Sequence, residues 1–141
     1  MPAMGQRNTA VFYGECDTAP KLRRCLLDGG GNPIDLSGCT VTISVAQALE
    51  LENYYIQPTG RIVNDSPCVI ADQTVPENLG WISWTPGACD SDSALTPPGQ
   101  YLYQFAITYQ DGGLQRIPAD TYLPMVIRTR AGGRADQRVG P

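Results

Sequence analysis

The stretch YLYQFAITYQDGG, residues 101–113, alternates with period two: Tyr101, Tyr103, Phe105, Ile107 and Tyr109 fall on one face, Leu102, Gln104, Ala106 and Thr108 on the other. This is the pattern of a strand with one strongly apolar side. Asp111-Gly112 then supplies a hairpin turn, and LQRIP after it pairs back. An aromatic and aliphatic face of this kind reads as core or subunit interface rather than as a platform for stacking sugar rings.

Working outward, CTVTISVA at 39–46 sets Val41, Ile43 and Val45 against Thr40, Thr42 and Ser44, a half-buried strand. Short β-prone runs recur at TAVFY (9–13), KLRRCLLD (21–28), RIVND (61–65), PCVIAD (67–72) and YLPMVIRTR (122–130). In LGWISWTPG, residues 79–87, Trp81 and Ser83 share one face and Ile82 and Trp84 the other, so one tryptophan anchors the core and the other sits at a contact. Between the runs lie turn-formers: GECDTAP, the GGGNP that follows Asp28, and the proline-rich CDSDSALTPPG. The segment QALELENYYIQPTG at 47–60 is the one place where a helical turn fits, but Pro58 and its short length favour an extension or loop. About seven or eight short strands without a long amphipathic helix specify an antiparallel β-sandwich, with an immunoglobulin-like arrangement leading. The expected layout is an N-terminal arm at 1–8, the sandwich at 9–130 and a flexible C-terminal tail at 131–141.

Composition excludes several function classes. Ten basic against fourteen acidic residues give a net charge of −4, which disfavours nucleic-acid binding. No run approaches the roughly 20 apolar residues of a membrane helix, and the start MPAMGQRN has no apolar signal core, so neither a membrane span nor a signal peptide is expected. The chain has no histidine, which removes Ser-His-Asp and Cys-His catalysis. Asp90 and Asp92 are the remaining carboxylate pair, yet DSDS lacks the glycine and distal glutamate of a calcium loop and reads as solvated. Five cysteines, Cys16, Cys25, Cys39, Cys68 and Cys89, show no CxxC pair, so no metal site or cofactor is expected. Buried reduced thiols are the favoured state, with one or two disulfides the alternative and the pairing of Cys68 with Cys89 left open.

The order Gly14-Glu15-Cys16-Asp17-Thr18-Ala19-Pro20, then DGGGNPIDLSGCTV at 28–41, Gly80-Trp81-Ile82-Ser83-Trp84-Thr85, Pro98-Gly99-Gln100-Tyr101, Asp111-Gly112 and Ile117-Pro118 resembles the immunoglobulin-like domain of tailed-phage virion proteins. Among these is the N-terminal domain of the baseplate upper protein family. The resemblance implies an assembly role with no active site: a baseplate, neck, tail or capsid-associated component, assembled in the host cytoplasm and located in the virion. Its expected partners are other virion proteins and copies of itself. Tyr54, Tyr55 and one of Trp81 and Trp84 are the expected contacts, with Arg128, Arg130, Arg134 and Arg138 as a basic docking strip. A solvated tail is the plainer reading of those arginines. The rival function is a carbohydrate-binding module for host-surface recognition.

Overall fold

A computed structural model of the chain describes residues 10–50, 56–118 and 122–129. Among the described residues it holds nine strands in two sheets and no α-helix. The strands are β1 (Val11–Gly14), β2 (Leu22–Cys25), β3 (Thr40–Glu50), β4 (Ile56–Pro67), β5 (Val69–Ile70), β6 (Trp81–Trp84), β7 (Gly99–Thr108), β8 (Leu114–Ile117) and β9 (Leu123–Arg128). The larger sheet runs β1-β9-β7-β3-β4, with β8 also paired to β7, and the smaller runs β2-β6-β5.

Strand β7 sits at the centre of the larger sheet. Along one edge it pairs with β3 from Thr40↔Thr108 to Gln47↔Tyr101. Its other edge is shared end to end, because β8 covers Phe105 to Thr108 and β9 covers Gly99 to Tyr103. The alternation read from the sequence is the alternation of burial: Tyr101, Tyr103, Phe105 and Ile107 face inward and are buried. They meet Val41, Ile43 and Val45 of β3, Met125 and Ile127 of β9, and Leu22, Ile82 and Trp84 from the smaller sheet in one core. Leu26, Ile34, Leu36 and Leu95 from the connecting loops close its ends. The chain is therefore a β-sandwich, with apolar residues of both inner faces excluded from water.

Three features depart from the sequence reading. The 47–60 segment is neither helix nor simple loop where it is described, since β3 continues to Glu50 and β4 begins at Ile56, paired from Thr42↔Pro67 to Glu50↔Ile56. Cross-strand pairing overrides the local preference of its leucines and glutamates. Pro58, opposite Ala48, falls on an outer strand with a ladder along one edge only, the kind of strand in which proline is tolerated. The second departure is β1, which runs parallel to β9 from Val11↔Met125 to Gly14↔Arg128, so the sandwich is not wholly antiparallel. The third concerns the cysteines: Cys16 and Cys89 form a disulfide with a Cα–Cα distance of 4.8 Å, while Cys25, Cys39 and Cys68 are free. Cys89 thus pairs with Cys16 rather than Cys68. Backbone hydrogen bonds also hold the Cys16 turn, from Glu15 N to Arg128 O at 2.7 Å and from Cys16 N to Leu95 O at 2.9 Å.

The loops are built with equal economy. In the 28–33 turn the Asp28 carboxylate accepts from the backbone N–H groups of Gly30 at 2.8 Å and Asn32 at 3.0 Å, while Gly31 takes φ 83°. Gln73 ties its own β5–β6 loop to the β2–β3 loop. Its Oε1 accepts from Leu36 N at 3.0 Å and Gly80 N at 2.9 Å, and its Nε2 donates to the carbonyls of Ala71 and Asn78, both at 2.9 Å.

Two stability predictions follow from these cross-links. Opening the disulfide, by reduction or by Cys16→Ser with Cys89→Ser, frees a 73-residue separation in the unfolded chain and is expected to lower stability by about 4 kcal/mol. Urea titration with and without reductant checks this; superimposable curves would show that the bond constrains nothing. Gln73→Glu keeps the acceptor and loses both donors, so denaturation should show a loss of about 2 kcal/mol, larger than at exposed Gln110→Glu.

Candidate functional site

Many of the groups that could do chemistry are engaged within turns or raised in pKa by burial. Asp17, Asp28, Asp35, Asp72 and Asp111 each accept a backbone N–H within their own turn. The Ser37 hydroxyl and amide hold the Asp35 carboxyl below its ordinary pKa, and those of Thr74 do the same for Asp72. Asp90 and Asp92 are exposed. A nucleophilic cysteine needs a lowered pKa, yet burial raises all three free thiols, with Cys68 pushed up to about 12. At Cys39 the charges of Asp35 and Asp111 add to the effect of burial. Tyr13 is likewise raised to about 12 by desolvation, then by Tyr103 and Asp17. The Tyr103 hydroxyl is buried without a hydrogen-bond partner. Desolvation raises its pKa, and Arg24, which acts in the opposite direction, does not offset it. Among the described residues no group of three or more His, Cys, Asp or Glu side chains could hold a metal ion, and no helix is long and apolar enough to cross a membrane.

What remains open is the outward face of each sheet. On the smaller sheet Leu22↔Trp84 and Arg23↔Ser83 pair across β2 and β6, so Arg23 stands diagonal to Trp81. Its guanidinium lies 5.5 Å from the Trp81 ring centroid, and Val69, 67% exposed, extends the same row opposite Ser83. On the larger sheet Phe12 pairs with Val126 and Gly14 with Arg128. The Arg128 guanidinium lies over the Phe12 ring at 4.6 Å, and Phe12 is 54% exposed. Each sheet therefore presents an aromatic ring with an arginine above it. Such a pair contributes about 0.5–1 kcal/mol where exposed, and Trp, Phe and Arg are the residue types enriched at protein interfaces.

The structure separates the two tryptophans as the alternation of WISW requires. Trp84 is buried, with Nε1 donating to Ser66 Oγ at 3.0 Å, so of the two only half-buried Trp81 reaches the surface. Of the expected basic strip, Arg128 lies beside Phe12, whereas Arg130, Arg134 and Arg138 lie outside the described residues, as do Tyr54 and Tyr55. Tyr101 and Tyr103 of β7 are in the core, and Tyr109, just after it, is half-buried with its hydroxyl on Gln115. Sequence reasoning missed Phe12 and Arg23. Period two through VFYG, with Tyr13 inward, is enough to place Phe12 outward; Arg23 required the β2–β6 register, which no local pattern encodes.

Comparison of the chain with protein-family models, curated proteins and solved structures finds no match.

The different surroundings of the tryptophans are directly measurable. Acrylamide should quench two fluorescence populations in the native chain, and Trp81→Phe should remove the accessible one and leave a slowly quenched emission from Trp84. Equal quenching of both residues would contradict the assigned faces.

Proposed function

We propose that this chain is a structural protein of a tailed-bacteriophage virion that works through protein–protein contacts made by the outer faces of an immunoglobulin-like sandwich. The observation that carries the contact role is the pairing of an outward aromatic with an arginine on both sheets, in a chain whose free thiols are raised in pKa and whose turn acids serve backbone N–H groups. It acts as a rigid block with no catalytic step.

Three features support the immunoglobulin-like arrangement. The first strand runs parallel to the last at the edge of the larger sheet, and the smaller sheet takes the order β2-β6-β5. At the entry to the central strand, the Tyr101 hydroxyl donates to the carbonyl of Pro97, four residues upstream, at 2.6 Å, in the manner of a tyrosine corner. The virion assignment rests on the resemblance of residues 14–20 and 28–41 to tailed-phage sandwich domains. The Cys16–Cys89 disulfide suits a protein whose working life is outside the reducing cytoplasm, as in a released particle. Repetition over many copies makes weak single contacts sufficient.

Quantitative mass spectrometry of purified particles from the producing host tests the assignment. The chain is expected at a fixed ratio to the capsid protein through successive purification steps. Its loss during purification, or its absence, would overturn the virion role.

A further inference from the structure

The outward face of the larger sheet contains a groove that the contact pairs above do not use. It encloses about 320 Å³ and is lined by Ser44 and Ala46 of β3, Arg61 of β4, Leu102 and Gln104 of β7, Arg116 of β8, and Tyr122 just before β9. The register explains why it forms here. Ser44↔Gln104 and Ala46↔Leu102 pair side by side on the floor, while Arg116 rises next to Ala106 from the neighbouring strand. Ala46 and Leu102 are only 8% and 7% exposed although they face outward, so the floor is apolar and closely covered.

Charge decides what the groove can take. Among the described residues its lining has two guanidinium groups and no carboxylate, on a chain whose net charge is −4. Arg61 gives one N–H to Asn64 Oδ1 at 3.3 Å, which leaves most of its fork free, and Arg116 has no partner among the described residues. The acid at the rim, Asp65, is turned onto Ser44: its Oδ1 accepts from the Ser44 hydroxyl at 3.2 Å and its backbone N–H donates to the same oxygen at 3.1 Å. Gln104 spends one N–H on the Pro118 carbonyl at 2.8 Å and keeps its amide oxygen. The backbone N–H groups of β3 and β7 are committed to the sheet, so the groove lacks the cluster of free amides that cradles a phosphate. Planar arginine forks above an apolar floor instead suit a carboxylate carried on a methylene stem. The volume is at the small end of the roughly 300–1,000 Å³ of ligand pockets, enough for a side chain or two.

We infer that this groove receives a glutamate side chain from an exposed strand or loop of a partner protein, with its carboxylate held by Arg61 and Arg116 and its stem lying on Ala46 and Leu102. The inference rests on protein contact as the role of the chain and adds the chemistry of the partner.

Titration of the isolated ¹⁵N-labelled protein at low salt tests it, with blocked hexaglutamate, blocked hexalysine and inorganic phosphate as probes. Hexaglutamate is expected to shift the amide resonances of Ser44, Ala46, Leu102 and Gln104 and to weaken as salt rises. Arg61→Gln with Arg116→Gln should reduce its affinity at least tenfold without changing the melting temperature, since both arginines are exposed. Arg116→Gln alone, expected to give an intermediate loss, serves if the double variant is poorly folded. No shift with hexaglutamate, equal shifts with phosphate or hexalysine, or unchanged affinity in the variants would each overturn the inference. Because the assay uses the free chain, peptide binding by a protein absent from particles would refute the virion role alone, and a particle component that ignores hexaglutamate would refute the groove alone.

Discussion

Every layer of this sandwich depends on the register of β7. Its inward residues Tyr101, Tyr103, Phe105 and Ile107 meet both sheets, and a slip of one position would put Leu102, Gln104, Ala106 and Thr108 into the core in their place. Three neighbours, one along one edge and two along the other, oppose that slip. The pairing with β3 spans eight residues of β7, from Tyr101 to Thr108, and the division of the other edge between β8 and β9 fixes where each of those strands begins. The same register sets the outer surface, because the residues left outward on β7 and β3 form the groove floor between Arg61 and Arg116.

Polar chemistry in this chain is spent on holding loops. Asp28, Asp35 and Asp72 bind backbone N–H groups of their own turns, and one glutamine satisfies four backbone groups from two loops. Buried backbone groups must be paired, and a sandwich with long connections has many to pair. The result is a frame whose loops are tied internally, with polar groups of the turns largely satisfied within the chain. On the outer sheet faces Arg23 lies over the Trp81 ring and Arg128 over the Phe12 ring.

Much of the sandwich was legible in the amino-acid sequence, for reasons visible in particular residues. Period-two alternation at 39–46 and 101–108 picked out the inner face, because Val41, Ile43 and Val45 and Tyr101, Tyr103, Phe105 and Ile107 share one side of their strands; at 81–84 it separated the two tryptophans without saying which is inside. The strands at 47–60 were hidden, because QALELENYYIQ has helix-forming composition and its pairing partner is itself. The parallel partnership of β1 with β9 and the Cys16–Cys89 bond join residues far apart in the chain, and no local signal encodes such proximity. Of the residues singled out from the sequence, one of the Trp81/Trp84 pair and Arg128 lie at the surface within a ring–cation pair, while the places of Phe12, Arg23, Arg61 and Arg116 follow only from the register that gathers them.

The central claim, that the outer sheet faces of this protein are contact surfaces, is tested most directly by hydroxyl-radical footprinting of the free chain against the chain within purified particles. The account predicts strong oxidation of Trp81 and Phe12 in the free chain and protection of at least one of them in the particle, with buried Trp84 weakly labelled in both states. Equal oxidation of Trp81 and of Phe12 in free and particle-bound protein would contradict it.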